Sequence, residues 1–397
     1  MPRSAVPLVG RSRELSGLVS ALHSAADGRA AALVVGGDAG VGKTRLLTEL
    51  IGLAAADGVL CLIGHCVDLG DTPPPYLPFT EAFSRLASEQ AEVVDELLVR
   101  FPSLVRLLSN RAGAVAVSDD RVDRGDLFDS VHGALAHLSA EHPVALFVED
   151  VHWADQATRD LLGFLFTRLG DERLAIVATY RSDDLHRRHP LRRTLAEWSR
   201  LPAVSRTDLD PLETDDVQSL LRSIQHEISD ADVDGIVRRA DGNAFFAEEL
   251  LAAAAQCAGT QQLPWQLADL LLVRLDKLSD DARQVVRVAA VAGRRVSHPM
   301  LEAVALLPAT QLDAALREAV DSQVLQLTNS GQGYTFRHAL LAEAVYDDLL
   351  PGERVRLHAA YAAVIGADPE HRAAELARHA NASHDLVTAL AASLAAG

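Results

Sequence analysis

The sequence predicts an α/β domain with a parallel sheet over residues 30–210, followed by a second half made mainly of helices. Apolar, β-rich runs recur at 31–35, 59–63, 144–148, 174–180 and, more weakly, 204–209. Most are near-continuous rather than alternating, which is the pattern of strands covered on both faces. Helical stretches at 44–56, 126–139 and 156–169 separate them, and strands that alternate with helices build a parallel sheet. A glycine-rich loop, Gly37 to Thr44 (GDAGVGKT), joins the first run to the first of these helices.

That loop fits G-x-x-x-x-G-K-[ST] in the strand–loop–helix setting the motif requires, so the domain is predicted to be a P-loop nucleotide-binding fold. Glycines at Gly37, Gly40 and Gly42 let backbone N–H groups, with those of Ala39 and Val41, turn inward around phosphates. The start of the following helix, at Lys43, Thr44 and Arg45, adds the positive end of its dipole. Lys43 is expected to reach the β- and γ-phosphates, and the Thr44 hydroxyl to ligate Mg²⁺.

A P-loop calls for acids at the end of another buried strand, and Glu149 and Asp150 follow the run 145–148. Two registers are open. If four apolar residues precede the Mg²⁺ acid, that acid is Glu149 and Asp150 orients the attacking water. If Asp150 is the Mg²⁺ acid, Val151 fills the catalytic slot and hydrolysis is feeble. The first register is preferred. Asp155 precedes the periodic helix 156–169 and reads as its N-cap. Arg181 ends a strand on the edge where open α/β sheets bind ligands, so it either reads the γ-phosphate or stands in solvent.

In the second half, 214–223, 231–240 and 245–257 read as short amphipathic helices. Further helices lead to a hairpin, 324–328 and 334–337 around the turn 329–333. Three helices followed by a hairpin outline a winged helix. The stretch 353–397 is rich in Ala, His and Leu and reads as the start of a helical array.

Together these segments resemble the STAND-type P-loop ATPases and, within them, the ATPase module of large LuxR-family bacterial transcriptional regulators. Leu8-Val-Gly-Arg11 is similar to the family's opening element near adenine, which puts Arg11 at the nucleotide. Residues 147–155 (FVEDVHWAD) are similar to its acidic strand and the "HWAD" segment. Residues 178–181 (ATYR) resemble its sensor strand, whose arginine, here Arg181, contacts the terminal phosphate. Residues 242–250 (GNAFFAEEL) resemble the lid helix. Residues 336–340 (FRHAL), then 343–346 (EAVY), resemble the winged-helix segment in which a histidine, here His338, approaches the nucleotide. Two residues depart from the pattern: Ala244 stands in place of a proline that packs near the base, and Glu149 in place of the commoner aspartate.

The resemblance implies a nucleotide domain over 1–210, a helical lid over 211–262, a winged helix over 263–350 and the start of a TPR-like superhelix over 351–397. It implies slow, regulatory ATP hydrolysis with Mg²⁺. It also implies a switch from a closed ADP form to an open ATP form that self-associates under an inducer or regulatory protein. A stand-alone remodelling ATPase, or a scaffold that holds nucleotide only for stability, are the alternatives.

Lys and Arg total 37 against 55 Asp and Glu, a net charge of −18 that argues against wholesale nucleic-acid binding. The predicted third helix of the wing, 310–322, carries Asp313, Glu318 and Asp321 against Arg317 and reads as a packing module. DNA contact is therefore expected only through a domain outside this sequence. The basic stretch 186–193 reads as a solvated loop and helix start, with phosphate or partner contact as the alternative. Cys61, His65 and Cys66 read as a buried thiol pair rather than a metal site, and residues 73–78 (PPPYLP) as a loop rather than a polyproline ligand. Three cysteines suit a reducing compartment, and neither a signal sequence nor a membrane-spanning run is expected. A soluble, cytoplasmic protein is predicted.

Overall fold

Five strands form one parallel sheet in the order β2-β3-β4-β1-β5. The computed structural model describes residues 7–68, 74–108, 122–256, 265–328, 331–367 and 372–396. The chain divides into two units, 1–224 and 225–397. In the first, the elements run α1 (Ser12–Ala26), β1 (Ala31–Gly37), α2 (Lys43–Ala56), β2 (Leu60–His65), α3 (Leu77–Glu89), α4 (Ala91–Arg100) and α5 (Val122–Glu141). They continue with β3 (Val144–Glu149), α6 (Gln156–Arg168), β4 (Leu174–Arg181), α7 (Pro190–Trp198), β5 (Val204–Leu209) and α8 (Thr214–Ile224).

The near-continuous apolar runs have a direct cause. On β3, Val144, Leu146 and Val148 join the core beneath α3 to α7, while Ala145 and Phe147 join the core beneath α1 and α2. On β1, Ala32 and Val34 face the first core and Leu33 and Val35 the second. β5 pairs only with β1 and is largely uncovered, so its apolar signal is weak. β4 lies between β1 and β3, which brings the carboxyl ends of three adjacent strands together. The predicted loop at 73–78 is partly helix: Pro78 sits in the first turn of α3, where its missing N–H costs nothing, while Pro73 lies outside the described residues.

The second unit contains α9 (Asp230–Ala240), α10 (Ala244–Gln256), α11 (Trp265–Asp276), α12 (Asp280–Ala292), β6 (Arg295–Ser297), α13 (His298–Ala305) and α14 (Ala309–Asp321). It ends with β7 (Leu325–Leu327), β8 (Gly333–Phe336), α15 (Ala339–Asp348), α16 (Pro351–Gly366), α17 (Ala373–Ala382) and α18 (Leu386–Ala396). β6, β8 and β7 form a small antiparallel sheet after α12, with α13 and α14 inserted between β6 and β7. The hairpin falls where the sequence predicts it, although Asn329 and Ser330 of its turn, like Cys257 at the end of the predicted helix 245–257, lie outside the described residues. Among the described residues no helix is long and apolar enough to cross a membrane.

A buried histidine pair joins α16 to α17. Arg378 donates to Nε2 of His379 at 2.9 Å, and the Nδ1 atoms of His379 and His358 are 2.9 Å apart. Arginine is only a donor, so His379 carries its proton on Nδ1 and gives it to His358, whose Nε2–H then faces the Tyr346 hydroxyl at 3.0 Å. Both rings are thus neutral. Burial first, then nearby Arg378, holds His358 down at about 4 and His379 at about 3, with Arg354 and Arg372 adding to the effect. An unfolded chain protonates both near pH 6.5, so below that pH the unfolded state binds more protons and stability falls as pH drops towards 4. The loss per proton is about 1.4 kcal/mol per pH unit. Thermal melts between pH 7.5 and pH 4.5 should show this acid limb, and His379→Gln should flatten it. An unchanged slope in the variant would remove the pair as its cause.

Candidate nucleotide site

The loop after β1 requires glycine for its backbone. Gly40 (φ +79°) and Gly42 (φ +104°) lie in the left-handed region, and a Cβ at Gly42 would meet nothing within 4 Å. Conformation, not space, selects glycine there. Gly42 leads directly into α2, whose first residue is Lys43. The buried Lys43 ammonium folds back over the loop and donates to the carbonyls of Gly37 (2.7 Å) and Asp38 (2.8 Å). Burial pulls its pKa below the ordinary lysine value and nearby Arg181 adds to this, while Asp183, Asp150 and Asp38 oppose it.

The loop is strapped from two sides. The buried Asp183 accepts the Ala39 N–H at 3.0 Å, so this amide, expected among the phosphate donors, is engaged by a protein carboxylate. Ser182 donates its hydroxyl to Asp38 (2.6 Å) and its N–H to the Gly37 carbonyl (3.1 Å). From the other side the buried Arg11 donates to the carbonyls of Val41 (3.1 Å) and Asp210 (2.6 Å). The side chain of Arg11 therefore braces the loop. Arg45 lies on the first turn of α2 with its guanidinium 3.9 Å from Glu49.

Glu149 closes β3, and its Oε2 lies 3.5 Å from the Thr44 hydroxyl. Burial raises its pKa, and the adjacent Asp150 adds to this; His65 and the Thr44 hydrogen bond act in the opposite sense. Asp150 turns away from that pair. It sits at φ +58°, ψ 43°, donates its N–H to the Thr179 hydroxyl at 3.1 Å, and points its carboxylate at Arg181 (3.9 Å) and His152 (3.7 Å). Arg181 pairs in register with Gly37 of β1, which sets it beside the loop. Its guanidinium lies 4.9 Å over the Trp153 ring and 3.9 Å from Asp184, and its N–H donates to His152 Nδ1 at 3.3 Å. The "HWAD" segment thus cages the strand-end arginine. Asp155 caps α6 by accepting from the Thr158 N–H at 3.0 Å.

These features fit a polyphosphate with a divalent cation. The loop offers a buried ammonium at a helix start, and the hydroxyl of Thr44 faces the carboxylate of Glu149, both hard oxygen donors of the kind Mg²⁺ takes. Among the described residues no group of three or more His, Cys, Asp or Glu side chains could hold a metal ion by itself. Cys66 is a buried thiol pushed up to about 12 by burial, and Cys61 is half-buried and also raised by burial. Sequence proximity groups His65 only with these cysteines. It instead pairs with Glu81 and Glu149, a constellation that no sequence spacing announces. The basic stretch 186–193 makes local contacts: His189 caps α7 and Arg193 pairs with Glu197 at 2.9 Å.

His338 and the 242–250 segment belong to the second unit. Asn243 accepts the Phe246 N–H at 3.2 Å and so caps α10, which begins at Ala244. The buried His338 precedes α15 and meets the Phe246 ring edge-on at 5.6 Å.

The strand order, the loop and the acids define an AAA-like P-loop ATPase fold. Residues 7–177 match the AAA ATPase domain family. The chain is 28% identical over 387 residues to an uncharacterised protein of Rhizobium meliloti (strain 1021); the match covers 89% of this chain and 36% of the relative. The chain thus spans about a third of the length of that relative. Among solved structures it is similar to the Aeropyrum pernix ORC2 protein, solved as ADPNP–ADP complexes (13% identity, TM-score 0.51, 92% of this chain and 98% of that one). That similarity is one of fold. It is also similar to a STAND protein with a tetratricopeptide repeat sensor from Pyrococcus horikoshii (13% identity, TM-score 0.41, 96% of this chain and 50% of that one).

Proposed function

We propose that this chain is the ATP-binding and ATP-hydrolysing switch of a LuxR-type transcriptional regulator. The observation that carries the nucleotide part is the convergence of Lys43, Thr44, Glu149 and Arg181 at the ends of three adjacent strands. Lys43 exchanges its two carbonyl partners for phosphate oxygens, and Arg181 leaves Asp150 and Asp184 to meet the terminal phosphate. Asp150, relieved of Arg181, accepts a hydrogen bond from water and orients it for attack. Thr44 and Glu149 are the residues to hold Mg²⁺, which supplies neutralisation of the polyphosphate charge.

The switch part rests on the elements that come after the P-loop domain in the chain. In this reading residues 211–262 form the lid, residues 263–350, which contain the small antiparallel sheet and His338, form a winged helix, and residues 351–397 open a TPR-like array. His338 is the residue through which the winged helix reads nucleotide. Hydrolysis is slow and resets the switch, and self-association belongs to the ATP state. DNA contact belongs to a further domain. Light scattering of the full chain with Mg²⁺ and either ADP or a non-hydrolysable ATP analogue tests this. A larger assembly with the analogue is expected, and the same mass in both states would contradict the switch.

A further inference from the structure

The two oxygens of Glu149 have different neighbours. Oε2 faces Thr44 at 3.5 Å, while Oε1 lies 3.7 Å from Nε2 of His65, its register partner on β2. The His65 ring does not turn freely. Glu81 of α3 accepts the His65 N–H at 2.8 Å with one oxygen and approaches Nδ1 at 2.9 Å with the other. The backbone adds a second tie, because the Cys66 N–H donates to the Glu149 carbonyl at 2.9 Å. α3 itself rests on the end of β2: a Cβ at Gly64 would lie 1.9 Å from the Pro78 carbonyl oxygen. Only glycine permits that approach.

We propose that His65 and Glu81 are positioning residues for Glu149. Glu81 fixes the imidazole, the Nε2 edge of the ring stands beside Oε1 and limits the swing of the carboxylate, and Oε2 is left facing Thr44, where a divalent cation would sit. Outer partners of this kind hold a ligand in its binding geometry, and losing them commonly costs a factor of ten or more in metal affinity. α3 thereby becomes the element through which a movement outside the P-loop changes the cation requirement of the nucleotide site. This inference rests on the reading of Thr44 and Glu149 as the Mg²⁺ side of that site.

The test is binding of a fluorescent ADP to the full chain, titrated with Mg²⁺ and repeated in EDTA, for the wild type, His65→Ala, Glu81→Gln and the double variant. Both side chains are almost half exposed, so each variant should fold, and melting curves check this. Each single change should raise the half-effective Mg²⁺ concentration about tenfold and leave binding in EDTA unchanged. The double variant should do no more than either single one, since both act through one contact. An unchanged Mg²⁺ requirement, or equal losses with and without Mg²⁺, would overturn the inference while leaving the nucleotide site standing. A wild type whose ADP binding ignores Mg²⁺ would instead overturn the assignment of Thr44 and Glu149, and this inference with it.

Discussion

Replacing Lys43 by alanine should lower the affinity for ATP and for ADP about a hundredfold and leave the folded protein as stable as before. A charge-assisted hydrogen bond contributes about 1.5–3 kcal/mol, and about 2.7 kcal/mol is a factor of one hundred. Stability is spared for a reason visible in the loop. The Gly37 carbonyl keeps the Ser182 N–H, and the Asp38 carbonyl keeps the Val41 N–H at 3.3 Å, so neither acceptor is stranded when the ammonium goes. Removing a cation that burial already disfavours also costs little. Titration with a fluorescent nucleotide, paired with a melt of the nucleotide-free protein, separates the two effects. A variant that binds ADP as the wild type does would show that the loop is not the nucleotide site.

Asp150→Asn should reduce steady-state hydrolysis about a hundredfold or more, the range lost with a positioned proton acceptor. ATP affinity should hold or rise, because a negative charge near the terminal phosphate has gone. Asparagine is the right replacement. It tolerates the left-handed backbone found here, and the main-chain bond to Thr179 is kept. Alanine would confound the chemistry with strain. Phosphate release under saturating ATP is the measurement, and undiminished turnover would take Asp150 out of the reaction.

How much of this is legible in the sequence depends on how each feature is encoded. Strands buried on both faces write themselves as unbroken apolar runs, and β1, β3 and β4 are readable for that reason, while the partly buried edge strand β2 keeps an apolar run because its residues pack against both cores. The loop is readable because its chemistry is contiguous, from Gly37 to Thr44. α1, α3 and α4 escape the sequence reading, although Pro78 carries a usable signal, a proline in a helix's first turn. β6 has three residues, too few for any pattern. The supports of the site are hidden because they are tertiary. Asp183 with Ala39, Arg11 with Val41, and His65 with Glu81 and Glu149 meet only once the sheet is assembled. Strand register is the one route to the last of these, since β2 and β3 end opposite each other at His65 and Glu149. The two neighbouring acids part at the strand end: β3 closes on Glu149, which faces Thr44, while Asp150 turns towards Arg181.

The most direct test of the central claim is the nucleotide content of the protein purified without added nucleotide. The chain is denatured, and whatever it releases is identified and counted by chromatography, with Lys43→Ala as the control. Close to one ADP per chain from the wild type and none from the variant is the expected result. A wild type that releases nothing and takes up neither added ATP nor added ADP with Mg²⁺ would contradict the account.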